Sequence, residues 1–141
     1  MVKGEYQLTD ALELLIKDKV RIRSANIDKW LDCGKKMEFL NSAKAVLSKE
    51  NLSGKGIVKK SRIIPPVYFG ENVLIEDSVI GPNVIIENNS EIQNSRIRDT
   101  IVYCDTKVHN SSIKDSIIGN HVFVDNVEGI LNIGDYSSYE I

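Results

Sequence analysis

Between Ile63 and Ile133 the apolar residues recur every five or six positions: Ile63, Phe69, Ile75, Ile80, Ile86, Ile92, Ile97, Val102, Val108, Ile113, Ile118, Val124 and Ile130. Polar and turn-forming residues fill the gaps. Every third member falls into a column. Ile63, Ile80, Ile97, Ile113 and Ile130 are separated by 17, 17, 16 and 17 residues, and the columns headed by Phe69 and Ile75 each step by 17, 16 and 16. A further set, Val73, Ser90, Thr106 and Val122, follows the same beat. Three short strands per turn, one per column, make a triangular coil whose turns stack at roughly the 4.8 Å inter-strand spacing. A single turn buries nothing alone, so the stack is the stable unit, and about four to five coils fit here. An amphipathic helix would need apolar positions at i, i+3, i+4 and i+7. It would not tolerate Pro65, Pro66, Gly70, Gly81, Pro82 and Gly119.

The front of the chain has a different rhythm. Residues 4–18 read as a helix with Thr9 as N-cap, Leu8 as a staple outside it, and Leu12, Leu15 and Ile16 as its apolar stripe. Val20-Arg21-Ile22-Arg23, within residues 20–27, alternates and reads as a strand. Trp30-Leu31-Asp32-Cys33-Gly34 reads as a strand end or turn. Residues 36–48 read as a second helix with Met37, Leu40, Ala43 and Leu47 on one face. Helix, strand and helix over residues 1–50 form no core unaided, and a lone strand implies a missing sheet. This piece is expected to be the last part of a larger α/β domain, with Met1 an artificial or truncated start. Residues 51–56 form a Ser- and Gly-bearing linker. Residues 57–141 are assigned to the coil, with Ile57 and Val58 opening it and residues 134–141 capping its last turn.

Composition narrows the function classes. Eighteen Lys and Arg against 20 Asp and Glu give no electrostatic footprint for nucleic acid or an anionic membrane. No apolar run is long enough to span a bilayer, and residues 1–5 lack an apolar signal core. Cys33 and Cys104 stand far apart, with neither metal spacing nor a disulfide framework. A cytoplasmic location is the expectation.

Phe69-Gly70-Glu71-Asn72-Val73, Ile80-Gly81-Pro82-Asn83-Val84 and Ile118-Gly119-Asn120-His121-Val122 resemble the hexapeptide repeats of left-handed parallel β-helices. The left hand is implied by that resemblance. In the front part, Gly4-Glu5-Tyr6-Gln7-Leu8-Thr9-Asp10 is similar to the (G)E-x-x-(L/I)-T-D segment of sugar-1-phosphate nucleotidyltransferases, and Trp30-Leu31-Asp32-Cys33-Gly34 to their W-x-D-x-G segment. The order of the two, followed by a helix and then the repeats, resembles the long form of glucose-1-phosphate thymidylyltransferase over nearly the whole chain. The fold so implied is mainly β: a left-handed parallel β-helix of four to five coils behind a helix-strand-helix remnant of the nucleotidyltransferase domain.

In that family a sugar phosphate attacks the α-phosphorus of a nucleoside triphosphate and pyrophosphate leaves. The resemblance implies a magnesium ion in the full-length parent with Asp32 as one of two metal-binding aspartates, Trp30 shaping the sugar pocket, and Glu5, Thr9 and Asp10 near the substrate side. Lys35 stands where the family usually has Thr. The family's glycine-rich nucleotide loop is absent from these 141 residues. The chain alone is therefore expected to contain no catalytic residue set, to need no cofactor, and to be inactive.

Three functions follow from this reading. The first is the C-terminal fragment of such an enzyme, its β-helix serving assembly, a homotrimer foremost, through exposed Val79, Ile85, Ile101 and Ile117. The second is a hexapeptide-repeat acyltransferase using His109 or His121, although both read as exposed turn residues without a carboxylate to orient them. The third is a non-catalytic scaffold or regulatory subunit. Lys55, Lys59, Lys60 and Arg62 read as a solvated linker cluster, Cys104 as structural, and the many Asn and Asp as corner formers.

Overall fold

A computed structural model describes residues 7–48 and 56–140. The chain divides between Trp30 and Leu31 into two compact units.

In the second unit the repeat closes into a parallel β-solenoid of about five turns. One sheet of six strands runs from Ile57–Lys59 to Ser138–Glu140, and two sheets of five run from Arg62–Ile63 to Glu128–Gly129 and from Val67–Phe69 to Asn132–Ile133. Their registers reproduce the sequence columns. Ile75, Ile92, Val108 and Val124 stand opposite one another in turn, as do Phe69, Ile86, Val102 and Ile118, and Ile63, Ile80, Ile97 and Ile113. Strands of two or three residues suffice because one or two side chains of each point inward. Val73, Ile75, Ile80, Ile86, Ile92, Ile97, Val102 and Val108 have essentially no exposed surface. The fifth member of the Ile63 column is Gly129, opposite Ile113, and not the expected Ile130, which is exposed. At φ +124° Gly129 holds a backbone angle that costs a glycine little.

The corners explain the Asn and Asp content. Asn72, Asn89 and Asp105 at one corner, and Asn94 and Asn110 at the next, take positive φ, which short amide and carboxylate side chains tolerate best. They also bond from coil to coil: Asn72 Nδ2 donates to Asn89 Oδ1 (3.0 Å), and Asn89 Nδ2 to Asp105 Oδ1 (3.1 Å). A second ladder lies inside. The hydroxyls of Ser61, Ser78, Ser95 and Ser111 accept the backbone N–H of Ser78, Ser95, Ser111 and Val127 at 2.9–3.0 Å. The buried hydroxyls of this ladder are thereby paired, as burial demands.

Helix α2 (Lys36–Leu47) belongs to this unit and lies over the Phe69–Ile86–Val102 face. Its Phe39, Ala43, Val46 and Leu47 share an apolar cleft of about 540 Å³ with Tyr68, Ile85, Ile101 and Tyr103. Ile101, expected to lie open for subunit packing, is 4% exposed beneath it.

In the first unit the expected helix spans Leu8–Lys17 (α1), and residues 4–6 lie outside the described residues. Gln7, extended at φ −96°, is its N-cap. The Gln7 carbonyl accepts from Asp10 and Ala11, while Thr9 is already helical. Leu8 is therefore a helical residue, not a staple outside the helix. No strand forms over residues 20–27. Alternation supplies a face but not hydrogen-bond partners, and among the described residues the first unit holds no strand to pair with. Among those residues no helix is long and apolar enough to cross a membrane.

Candidate functional site

Two places in the molecule gather side chains that can act. The first is the turn at Asp32. Asp32 Oδ1 accepts the backbone N–H of Gly34 (2.9 Å), the local bond that makes Asp a turn former. A Cβ at residue 34 would lie 3.3 Å from that oxygen, so a glycine there suits the turn. The turn is held from α2, where Ser42 Oγ donates to the Asp32 carbonyl (2.8 Å). Two residues on, Lys44 Nζ lies 2.9 Å from Asp99 Oδ1 at a coil corner. Burial pushes the Asp99 carboxyl up, but Lys44, the Asn83 amide and Arg98 together outweigh it and hold the group below the usual carboxylate range.

Asp32 is exposed, and among the described residues no partner approaches its other oxygen. Among the described residues no three His, Cys, Asp or Glu side chains gather to hold a metal. One carboxylate suits Mg²⁺ only where phosphate oxygens and water complete the shell, which is how that ion is usually held. The remaining front residues stand apart from this turn in the chain's division. Thr9 and Asp10 sit at the start of α1, and Trp30, 79% exposed, ends the first unit, whereas Asp32 lies at the beginning of the second. Glu5 lies outside the described residues.

The second place is the outer face of the six-stranded sheet. His109 is not a turn residue. It lies on the strand Lys107–His109, half-buried, edge-on to Phe123 at a centroid distance of 5.5 Å. Its Nε2 is 3.4 Å from Glu91 Oε1, so a carboxylate is beside it after all. That contact falls short of hydrogen-bond geometry and leaves Nε2 without a hydrogen bond. Glu91 is meanwhile engaged by Gln93 Nε2 (2.6 Å) and approached by Lys107 (3.6 Å). The sequence signal was the register, which sets Glu91 against Lys107 and Gln93 against His109 on neighbouring strands. His121 is a corner residue, as expected, at φ +54°, stacked on Tyr136 and 4.0 Å from Asp105.

Cys104 donates to Glu87 Oε2 (3.2 Å), and burial first and that carboxylate second push its thiol up, away from nucleophilic use.

Comparison with known proteins fits both parts of the chain. It is 32% identical over 132 residues to the bifunctional protein GlmU of Clostridium botulinum, covering 86% of this chain and 29% of that protein. To GlmU of Campylobacter fetus it is 30% identical over 139 residues, covering 86% and 31%. To the glucose-1-phosphate thymidylyltransferase of Streptomyces antibioticus it is 28% identical over 166 residues, covering 99% and 46%. The chain thus spans less than half the length of these relatives. No family model and no solved structure matches it.

Proposed function

We propose that this chain, a homologue of the C-terminal region of nucleotidyltransferases such as glucose-1-phosphate thymidylyltransferase and GlmU, is the β-helical part of an enzyme that joins a sugar 1-phosphate to a nucleoside triphosphate. The observation that carries the reading is that one alignment, to the thymidylyltransferase, covers 99% of the chain and so takes in both the Asp32 turn and the coils. In such a reaction an oxygen of the sugar phosphate bonds to the α-phosphorus, the bond to the β-phosphate bridge breaks, and pyrophosphate leaves. Catalysis rests on positioning and on neutralising phosphate charge.

Asp32 is the residue that would hold Mg²⁺ beside the phosphates, the ion supplying charge neutralisation when bound. Trp30, Glu5, Thr9 and Asp10 would line the substrate side. The coil assembles the enzyme, a homotrimer being the favoured form, in the cytoplasm. With no glycine-rich nucleotide loop in its 141 residues, the chain does not turn over alone.

The test is pyrophosphate release from glucose 1-phosphate with dTTP or UTP and magnesium, alongside absolute mass by light scattering. A trimer without turnover is expected. Turnover by the chain alone would overturn the claim that the missing loop is needed. One observation favours a second reading, acyl transfer: His109 stands beside Glu91 in a sheltered position. Acyl transfer from an acyl-coenzyme A that is lost in His109→Ala would establish it in place of the first.

A further inference from the structure

We propose that the coil positions the Asp32 turn through α2, and that Lys44, Asp99 and Ser42 are the positioning residues. The inference deepens the reading above and rests on it for the role of Asp32.

The boundary between the two compact units falls just ahead of Leu31. The aspartate of the W-x-D-x-G segment therefore belongs with the coil, although the segment's tryptophan ends the unit before it. A series of links runs from coil to carboxylate. Asp99 is fixed at its corner, with φ +50°, its N–H on the Pro82 carbonyl (2.9 Å) and its Oδ1 accepting from Asn83 (2.9 Å). Lys44 reaches that same oxygen at 2.9 Å in a pair whose side chains are only 29% and 13% exposed. Lys44 also shares a helix face with Leu40 and Leu47, at i−4 and i+3, and both leucines are buried. Ser42, itself buried, holds the Asp32 carbonyl, and the Asp32 carboxylate closes on Gly34.

Each link alone is weak. In series they give the carboxylate a fixed address on a rigid stack, which is what a phosphate-transfer site needs, since a displacement of about 1 Å can cost roughly 10²-fold in rate.

The experiment uses the chain as it is, labelled with ¹⁵N. Backbone order parameters at residues 32–34 are expected near about 0.85 in the parent chain and below about 0.6 in Lys44→Met and Ser42→Ala. The coil amides should stay unchanged, and Lys44→Arg should resemble the parent. Unchanged order at residues 32–34 in both variants would overturn the inference. In a second arm, Mn²⁺ should broaden the Cys33 and Gly34 amides, should fail to do so in Asp32→Asn, and should need about threefold more metal in Lys44→Met, the range expected from one partly exposed ion pair. If Mn²⁺ broadens nothing around Asp32 in the parent chain, the metal role of Asp32 falls, while the order parameters still decide whether α2 positions the turn.

Discussion

The coil and α1 both announce themselves through evenly spaced branched aliphatics, yet they end in opposite surroundings. In the coil the spacing delivers Ile75, Ile92 and Val108 to one buried column with no exposed surface. In α1 it delivers Leu8, Leu12, Leu15 and Ile16 to water, between 38% and 77% exposed. Periodicity fixes which face of an element is apolar. Burial needs something to cover that face, and the coil carries its own cover, because each turn is the next turn's partner. Helix α2 lies between these extremes, with Leu40 and Leu47 buried in its own unit and Met37 and Val46 left open.

The contrast can be tested by deletion at matched chemistry. Ile92→Ala, in the middle of a column, should cost about 2–5 kcal/mol in urea unfolding. Ser95→Ala comes next. It removes the acceptor for the Ser111 N–H and the donor to the Gln93 carbonyl, and should cost about 1–3 kcal/mol because a buried donor is left unpaired. Lys44→Met should cost about 0.2–1 kcal/mol, read as faster amide exchange confined to α2 and residues 31–34.

Acid should reproduce that last loss. The folded Asp99 carboxyl lies below its ordinary value of 3.8, so its contribution is fully present above that value. It disappears as the pH falls through the lower folded value. Exchange in α2 should therefore rise only below about pH 4, and in Asp99→Asn it should be raised already at neutral pH. Smallest of all, Leu15→Ala in α1 should change stability by less than about 0.5 kcal/mol. A loss above about 1 kcal/mol would break the contrast by revealing a covered stripe.

The columns were legible because their members are bulky, inward and uniformly spaced. The same spacing misplaces the end of the Ile63 column. Ile130 was the nearest apolar residue, whereas the chain steps 16 residues to Gly129 and turns the isoleucine outward. The inner hydroxyl ladder was visible as Ser61, Ser78, Ser95 and Ser111 at intervals of 17, 17 and 16. A hydropathy pattern does not show it, because serine carries no hydropathy signal. The strand expected over residues 20–27 failed for lack of a ladder partner. His109 and Glu91, eighteen residues apart, meet only because parallel strands set side by side bring diagonal neighbours into reach. The burial of Ile101 depends on where α2 lies, which no local pattern encodes. At Asp32 the sequence offered both a turn and a metal ligand. The geometry displays the turn and leaves the second role to the Mn²⁺ titration.

A stack of near-equivalent turns is also a gauge of length. Over most of the coil a step of 16 or 17 residues returns to the same column and advances the axis by roughly 4.8 Å. Adding or removing one such turn beyond the Ile101 strand would move the Ser138–Glu140 strand by that increment. It would leave the footing of α2 in place. Evolution, or an engineer, could thus set the distance between the Asp32 turn and whatever meets the far end of the stack in whole-turn increments, without redesigning either end.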